Sequence, residues 1–362
     1  MKQFSPILIT LIFFSCIREN KTLLSVDVTQ DIVVPKHYIV AKTSETFKID
    51  GIADELSWKS ALFTNSFIDI EGVKTPRFDT KIKMLWDDDY LYVYSKIQEP
   101  HIWGNLKQRD TIIFYNNNFE VFLDPSGKGK IYGEIEINAL NTVWDLLLDK
   151  PYRVGGKANS KWNLKNLKSA IHIQGSLNNP KDIDSFWTVE MAIPLKPFVE
   201  LKNNPQTFPK ENEQWRINFS RVEWNHEVTN GKYHRKKENN TYLKENNWVW
   251  SNQKVINMHE PEKWGFLQFT DAKSSENITF IKDKDLQIKQ AIYALFRKTR
   301  FYDLKYLLEN KKNFSQDIEV TYSNEKPLIM TFYKTKFGFE YILKSPVSKE
   351  TYIINEEGIL NQ

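Results

Sequence analysis

Two short runs near the middle of the chain carry acids and amides at a spacing suited to holding a sugar. In Tyr132-Gly133-Glu134-Ile135-Glu136-Ile137-Asn138 polar and apolar residues alternate. An extended chain sends successive side chains to opposite faces, so Tyr132, Glu134, Glu136 and Asn138 share one face and Gly133, Ile135 and Ile137 the other. The preceding run, residues 118–124, places Glu120 and Asp124 on one face as well. If the two runs pair, carboxylates and an amide converge on a single sheet surface. Sugar hydroxyls need such acceptors and donors, with aromatic rings to cover their C–H faces. A polar face turned to water is the alternative reading. Glu120 with Glu136 would be the acid pair if the surface hydrolysed glycosides, although two acids on a sheet face more often bind a ligand or calcium.

Other chemistry is weaker. The run 215–224 puts Arg216, Asn218, Ser220 and Trp224 on one face and strands Arg221 among apolar neighbours, which predicts an ion pair with a carboxylate. Trp103, beside Gly104 in a predicted loop, is placed either as a ligand platform or as core. The six histidines show no metal-binding spacing, and neither a Gly-x-Ser-x-Gly elbow nor a phosphate loop is present. Asp87-Asp88-Asp89 reads as a hairpin turn, with calcium binding as the alternative.

The elements that must position these groups are strands. From Tyr38 to Thr270 short alternating runs are separated by turn residues, the pattern of a β-sandwich or barrel. Strands are predicted at 80–86, 90–97, 119–123, 132–138, 143–148, 186–193, 215–224 and 264–269, with long surface loops at 126–130, 154–161 and 231–247. Beyond Thr270 the pattern changes. Residues 285–310 carry an apolar stripe at helical spacing, and three strand-like runs follow. The reading is a mainly β chain, a sandwich with a small C-terminal α+β appendage.

The chain has 362 residues, a formal charge of +4, 41% hydrophobic residues and one cysteine. A charge this small over this length gives no basic footprint for nucleic acid. One cysteine excludes a disulfide framework and zinc sites built on several thiolates. The start, Met1-Lys2-Gln3 followed by an apolar run from Ile7 to Phe14 and then Ser15-Cys16, reads as a secretory signal. Its cysteine is placed as in the bacterial lipoprotein box, which makes Cys16 the predicted lipidation site; an ordinary signal peptide is the other reading. The expected layout is a signal at 1–15, a lipid-anchored tether at 16–36, the sandwich at 37–271 and the appendage at 272–362. The expected location is the bacterial cell envelope, with contact to the membrane through the lipid alone.

Four segments, in order, resemble the family 9 carbohydrate-binding module, a DOMON-like antiparallel β-sandwich. They are Ile49-Asp50-Gly51 through Trp58-Lys59-Ser60-Ala61, the hairpin Leu85-Trp86-Asp87-Asp88-Asp89-Tyr90, the acidic strand Asn118-Phe119-Glu120-Val121-Phe122-Leu123-Asp124, and Trp250-Ser251 through Pro261-Glu262-Lys263-Trp264-Gly265. The resemblance implies binding of a terminal sugar between two tryptophans, helped by an acid and an Arg-x-Asn pair. The acid falls on Glu120 and the asparagine on Asn138. The arginine falls on Glu136, a charge reversal, and the two tryptophans fall on Phe114 and Met258. Trp103, Trp224 or Trp250 would then supply a different platform. The resemblance implies non-catalytic carbohydrate binding in support of glycan catabolism, with a terminal sugar or glycan as partner and no cofactor beyond the calcium considered above. Three alternatives stand beside it: a glycoside hydrolase, a haem-binding redox protein using Met258 and His259 as axial ligands, and a purely structural surface lipoprotein.

Overall fold

The computed structural model of the protein describes residues 23–202, 208–309 and 312–362. The predicted signal and Cys16 lie outside these residues. In chain order the larger body contains β2 (His37–Lys42), β3 (Ile68–Asp69), β4 (Thr80–Trp86), β5 (Tyr90–Gln98), β6 (Asn118–Asp124), β7 (Tyr132–Asn138), β8 (Val143–Leu148), β9 (Ala158–Asn159), β10 (Lys168–Gln174), β11 (Phe186–Pro194), β12 (Gln214–Glu223), β13 (His226–Thr229), β14 (Lys232–Arg235), β15 (Lys237–Glu238), β16 (Thr241–Tyr242), β17 (Asn246–Val249) and β18 (Gly265–Thr270). It is preceded by β1 (Leu24–Asp27).

One hydrogen-bonded ladder runs β10-β11-β5-β4-β2-β18-β12-β6-β7-β8-β9, and β17 and β3 extend it from β12. The sheet curls over a core that includes Phe119, Val121, Ile135, Ile137, Ile217 and Phe219, with Trp187, Trp215 and Trp250. Burying each such side chain contributes about 1.5–3 kcal/mol, which offsets the entropy of ordering the strands. The pairings are antiparallel except that β2 lies parallel to both β18 and β4. Its neighbours come from distant parts of the chain, so no hairpin dictates its direction.

The opening motif is clamped from the sheet. Glu190 of β11 accepts hydrogen bonds from the Asp50 and Gly51 backbone N–H groups and from Trp58 Nε1. Gly51 has φ +86°, and a Cβ there would lie 2.6 Å from the His172 nitrogen. Only glycine meets both demands. In the β4–β5 hairpin Asp87 accepts from the Asp89 and Tyr90 N–H groups and from the Tyr92 hydroxyl. Asp87 therefore acts in the turn, in place of the calcium alternative. Arg221 is fully buried and donates to Glu99 at 2.7 Å and to Thr80 at 3.1 Å, the ion pair its position predicted.

The appendage is built on a second sheet of β1, β19 (Phe314–Thr321), β20 (Leu328–Lys334), β21 (Phe339–Lys344), β22 (Thr351–Asn355) and β23 (Leu360–Asn361). The helix Leu286–Phe301 packs on it through Ile288, Ile292, Leu295 and Phe296. Two expectations are corrected here. Residues 24–27 are not tether: they pair parallel to β19, and Val26 enters the appendage core. The helix stops at Phe301, because Tyr302 leaves helical geometry, and a 3-10 turn, Lys305–Leu308, carries the stripe onward through Leu307.

The appendage is tied to the sandwich through Glu262. Its carboxylate accepts from Arg153 at 2.9 Å and from Arg297 of the helix at 2.8 Å, and its carbonyl accepts from Gln290. Burial pushes Glu262 upward, but Arg153, Arg297 and Lys263 outweigh burial and hold it at about 2. Arg153 also donates to the His259 carbonyl, so this ion network braces the loop that carries Met258 and His259.

Candidate functional site

Pairing sets the site. In the β6–β7 ladder Glu120 stands opposite Glu136, Phe122 opposite Glu134 and Asn118 opposite Asn138; β8 then places Trp144 beside Glu136 and Leu146 beside Glu134. The two acidic runs do converge on one face. That face is not a freely solvated one, however: every residue of β6 and β7 is buried. Phe114, Tyr152, Ile70, Asn247 and the segment 256–259 stand around it, and together with it they line a partly open cleft of about 280 Å³.

The cavity is rich in acceptors. Glu120, Glu134, Glu136 and Glu245 line it. Asn118 Nδ2 bridges Glu120 at 3.0 Å and Glu136 at 3.3 Å, while its Oδ1 accepts from the Val222 N–H. Burial pushes Glu120 up to about 7, with Glu245 adding to the rise against the hydrogen bonds from Asn118 and Ser220. Burial also raises Glu134 and Glu136 well above the ordinary carboxylate range, and the mutual repulsion of the glutamates adds to it. His259 supplies no counter-charge. Burial, with Arg153 behind it, lowers its pKa to about 3, so the ring is neutral at physiological pH. Its Nδ1 meets the Tyr132 hydroxyl at 3.0 Å and its Nε2 lies 4.0 Å from Glu134. Around these groups stand the rings of Phe114, Phe122, Trp144 and Tyr152, with Met258 beside them.

Of the residues singled out from sequence, Phe114, Glu120, Glu136 and Met258 meet in this cavity. Four do not. Asn138 is fully buried: its amide donates to the Leu106 carbonyl and accepts from the Leu140 and Thr142 N–H groups, so it holds the β7–β8 turn. Trp250 packs in the sandwich core, edge-on to Phe219 and against Gly265. Trp224 is buried and donates to the Phe114 carbonyl, which makes it the support of a cavity residue. Trp103 is not an open loop platform: it is 2% exposed, packed with Val222, Trp224 and Tyr233. The haem alternative also meets an obstacle, since both nitrogens of His259 face protein groups.

Sequence reasoning did not select Trp144 or Tyr152 as site residues. Trp144 was recoverable, because it is the polar-edged member of an alternating strand beside the acidic one. Tyr152 had no local signal. Among the described residues no group of three or more His, Cys, Asp or Glu is disposed to hold a metal ion.

Among solved structures, the chain is similar to a family 9 carbohydrate-binding module from Caldicellulosiruptor kristjanssonii in complex with cellotriose. That match has 16% identity, covers 68% of this chain and 100% of that one, and has a TM-score of 0.43. The same organism's module in complex with glucose matches at 17% identity over 67% of this chain and 100% of that one, with a TM-score of 0.43. A protein from Bacteroides uniformis ATCC 8492 matches at 14% identity over 65% of this chain and 100% of that one, with a TM-score of 0.48. No curated protein matches the chain. The family model described as carbohydrate family 9 binding domain-like matches residues 49–272, well over half of the sequence, and the chain belongs to that family.

Proposed function

We propose that this protein is a non-catalytic carbohydrate-binding protein whose cavity over β6, β7 and β8 holds a sugar unit. The observation that carries the reading is the convergence in one cleft of Glu120, Glu134 and Glu136 with Phe114, Trp144 and Tyr152. The carboxyl groups suit sugar hydroxyls, as acceptors when ionised and also as donors when protonated. The rings suit the apolar faces of a pyranose. Family membership supports the same reading.

Hydrolysis fits less well. A glycosidase needs its two carboxyls driven apart, one protonated and one ionised. Here burial drives Glu120, Glu134 and Glu136 in the same direction, and among the described residues none of the three is ion-paired to a lysine or arginine.

The proposal extends to address and role. Export is directed by the apolar start, the protein is held in the bacterial cell envelope by a lipid on Cys16, and captured glycan serves catabolism. The soluble chain from Lys21 onward, screened on a glycan panel, tests the binding reading. Binding that Glu120→Gln and Phe114→Ala variants weaken, while their thermal melts stay cooperative, supports it; a chain that binds no glycan overturns it. Membrane fractionation of a Cys16→Ser variant tests the anchor, with loss from the membrane fraction expected and retention contradicting it.

A further inference from the structure

Immediately beside the glutamate-lined cavity lies a second one of opposite character. The turn Ile113–Tyr115 separates them: Phe114 lines the first and Tyr115 the second, their rings 4.6 Å apart. The second cavity, of about 430 Å³, is walled by the turn, by Trp103 and by the β13–β16 hairpins. Nothing in the proposed sugar site uses it.

Cationic donors outnumber acids among its polar groups. Arg235 lies with its guanidinium over three rings, 4.2 Å from Tyr242, 4.4 Å from Tyr115 and 4.6 Å from Trp224. Among the described residues that guanidinium meets rings and no carboxylate. A stacked guanidinium keeps its N–H groups in its own plane, in the fork that matches an oxyanion. Lys237 stands next to it over Tyr242, and His234 lines the same space. The Trp103 indole is also in the wall, and its Nε1 donor is buried without a hydrogen-bond partner. A buried donor left unpaired is unfavourable, and an acceptor that reached it would relieve that. One acid, Glu227, lies opposite His234 in the hairpin register, which leaves two permanent cations against one carboxylate. Tyr115 and Tyr242 are 41% and 46% exposed, so each ring keeps surface that a ligand can touch beside the cations stacked on it.

We infer that this cavity is an anion-binding subsite that takes the carboxylate or sulfate ester of an acidic sugar unit, in a glycan whose neighbouring unit occupies the glutamate-lined cavity. The oxyanion sits on the edge of Arg235 and near Lys237, and the sugar ring lies against Tyr115 or Tyr242. The link between the two subsites rests on the proposed function; the anion site itself does not.

The test is calorimetric titration of the soluble chain from Lys21 onward with three oligosaccharides of equal length: an oligogalacturonate, a sulfated galacto-oligosaccharide and an uncharged cello-oligosaccharide. The two charged probes distinguish carboxylate from sulfate. At least one charged probe binds about tenfold more tightly than the uncharged one, and Arg235→Gln and Lys237→Gln each remove much of that advantage without changing uncharged binding. Added salt weakens the charged probe alone. Arg235→Lys keeps the charge but not the fork and recovers only part of the affinity. Equal binding of all three probes, or charged binding indifferent to both glutamine variants, overturns the inference and leaves the proposed sugar site standing. Charged binding that depends on Arg235 but ignores Phe114→Ala and Glu120→Gln sustains the anion site and removes the first cavity as the neighbouring subsite. No binding of any probe overturns both.

Discussion

The two cavities either side of Ile113–Tyr115 share that turn, the first over the large ladder and the second over the β13–β16 hairpins, and they differ in almost every physical respect. The acids of the first lie on β6 and β7, where every residue is buried, and burial raises Glu134 and Glu136 well above the ordinary carboxylate range. The second is walled by hairpin residues, partly exposed, and the Arg235 guanidinium lies against aromatic faces at its edge. Burial is therefore the variable that separates them. An acid placed where water is excluded becomes a neutral hydrogen-bonding group. A guanidinium stacked at a half-open edge remains a fixed charge.

The largest effect that breaks the comparison is loss of Glu262. It holds Arg153 and Arg297 together under the loop that roofs the first cavity, and it touches nothing in the second. Glu262→Ala leaves two buried arginines without their shared partner and costs about 3–5 kcal/mol, read as a fall in unfolding midpoint. Binding that depends on the first cavity falls with it, while the Arg235 cavity keeps its ligand.

The next prediction concerns pH. The folded-state pKa values of Glu120, Glu134 and Glu136 are raised, so protons bind the folded chain more tightly than the unfolded one. Their stabilising contribution is full below the ordinary glutamate value of about 4.5 and is lost as pH rises through the raised folded-state values, about 7 for Glu120 and well above the ordinary value for the other two. Denaturation curves from pH 4 to 9 should show this loss. A triple glutamine variant should flatten the slope over that window, and an unchanged slope would contradict the assigned burial.

A smaller effect sharpens the contrast at neighbouring positions. Phe114→Ala should weaken uncharged-sugar binding by about 1–2 kcal/mol, and Tyr115→Ala should weaken charged-sugar binding by a similar amount. Crossed or equal effects would show that the turn does not divide the two subsites.

Much of the scaffold was legible in sequence because it rests on local patterns. Alternation in residues 132–138 assigned the two faces of β7, and the stranded Arg221 announced its buried partner. What was not legible came from distant chain. The polar face was open to two readings because its roof is supplied by residues 152 and 256–259, which no period within β6 or β7 reports. Trp103 was open to two readings, platform or core, because Tyr233, in a hairpin that looked like a surface loop, is what covers it. Residues 24–27 read as tether because their partner strand lies almost three hundred residues later. Asn138 kept the family's residue type, but its amide is spent on the turn beside it.

The central claim is that a sugar occupies the glutamate-lined cavity, and the most direct measurement is a crystal structure of the chain with the glycan that the panel selects. The account predicts a sugar ring against Phe114 with its hydroxyls on Glu120 and Glu136. A glycan bound elsewhere, with that cavity holding only water, would contradict it.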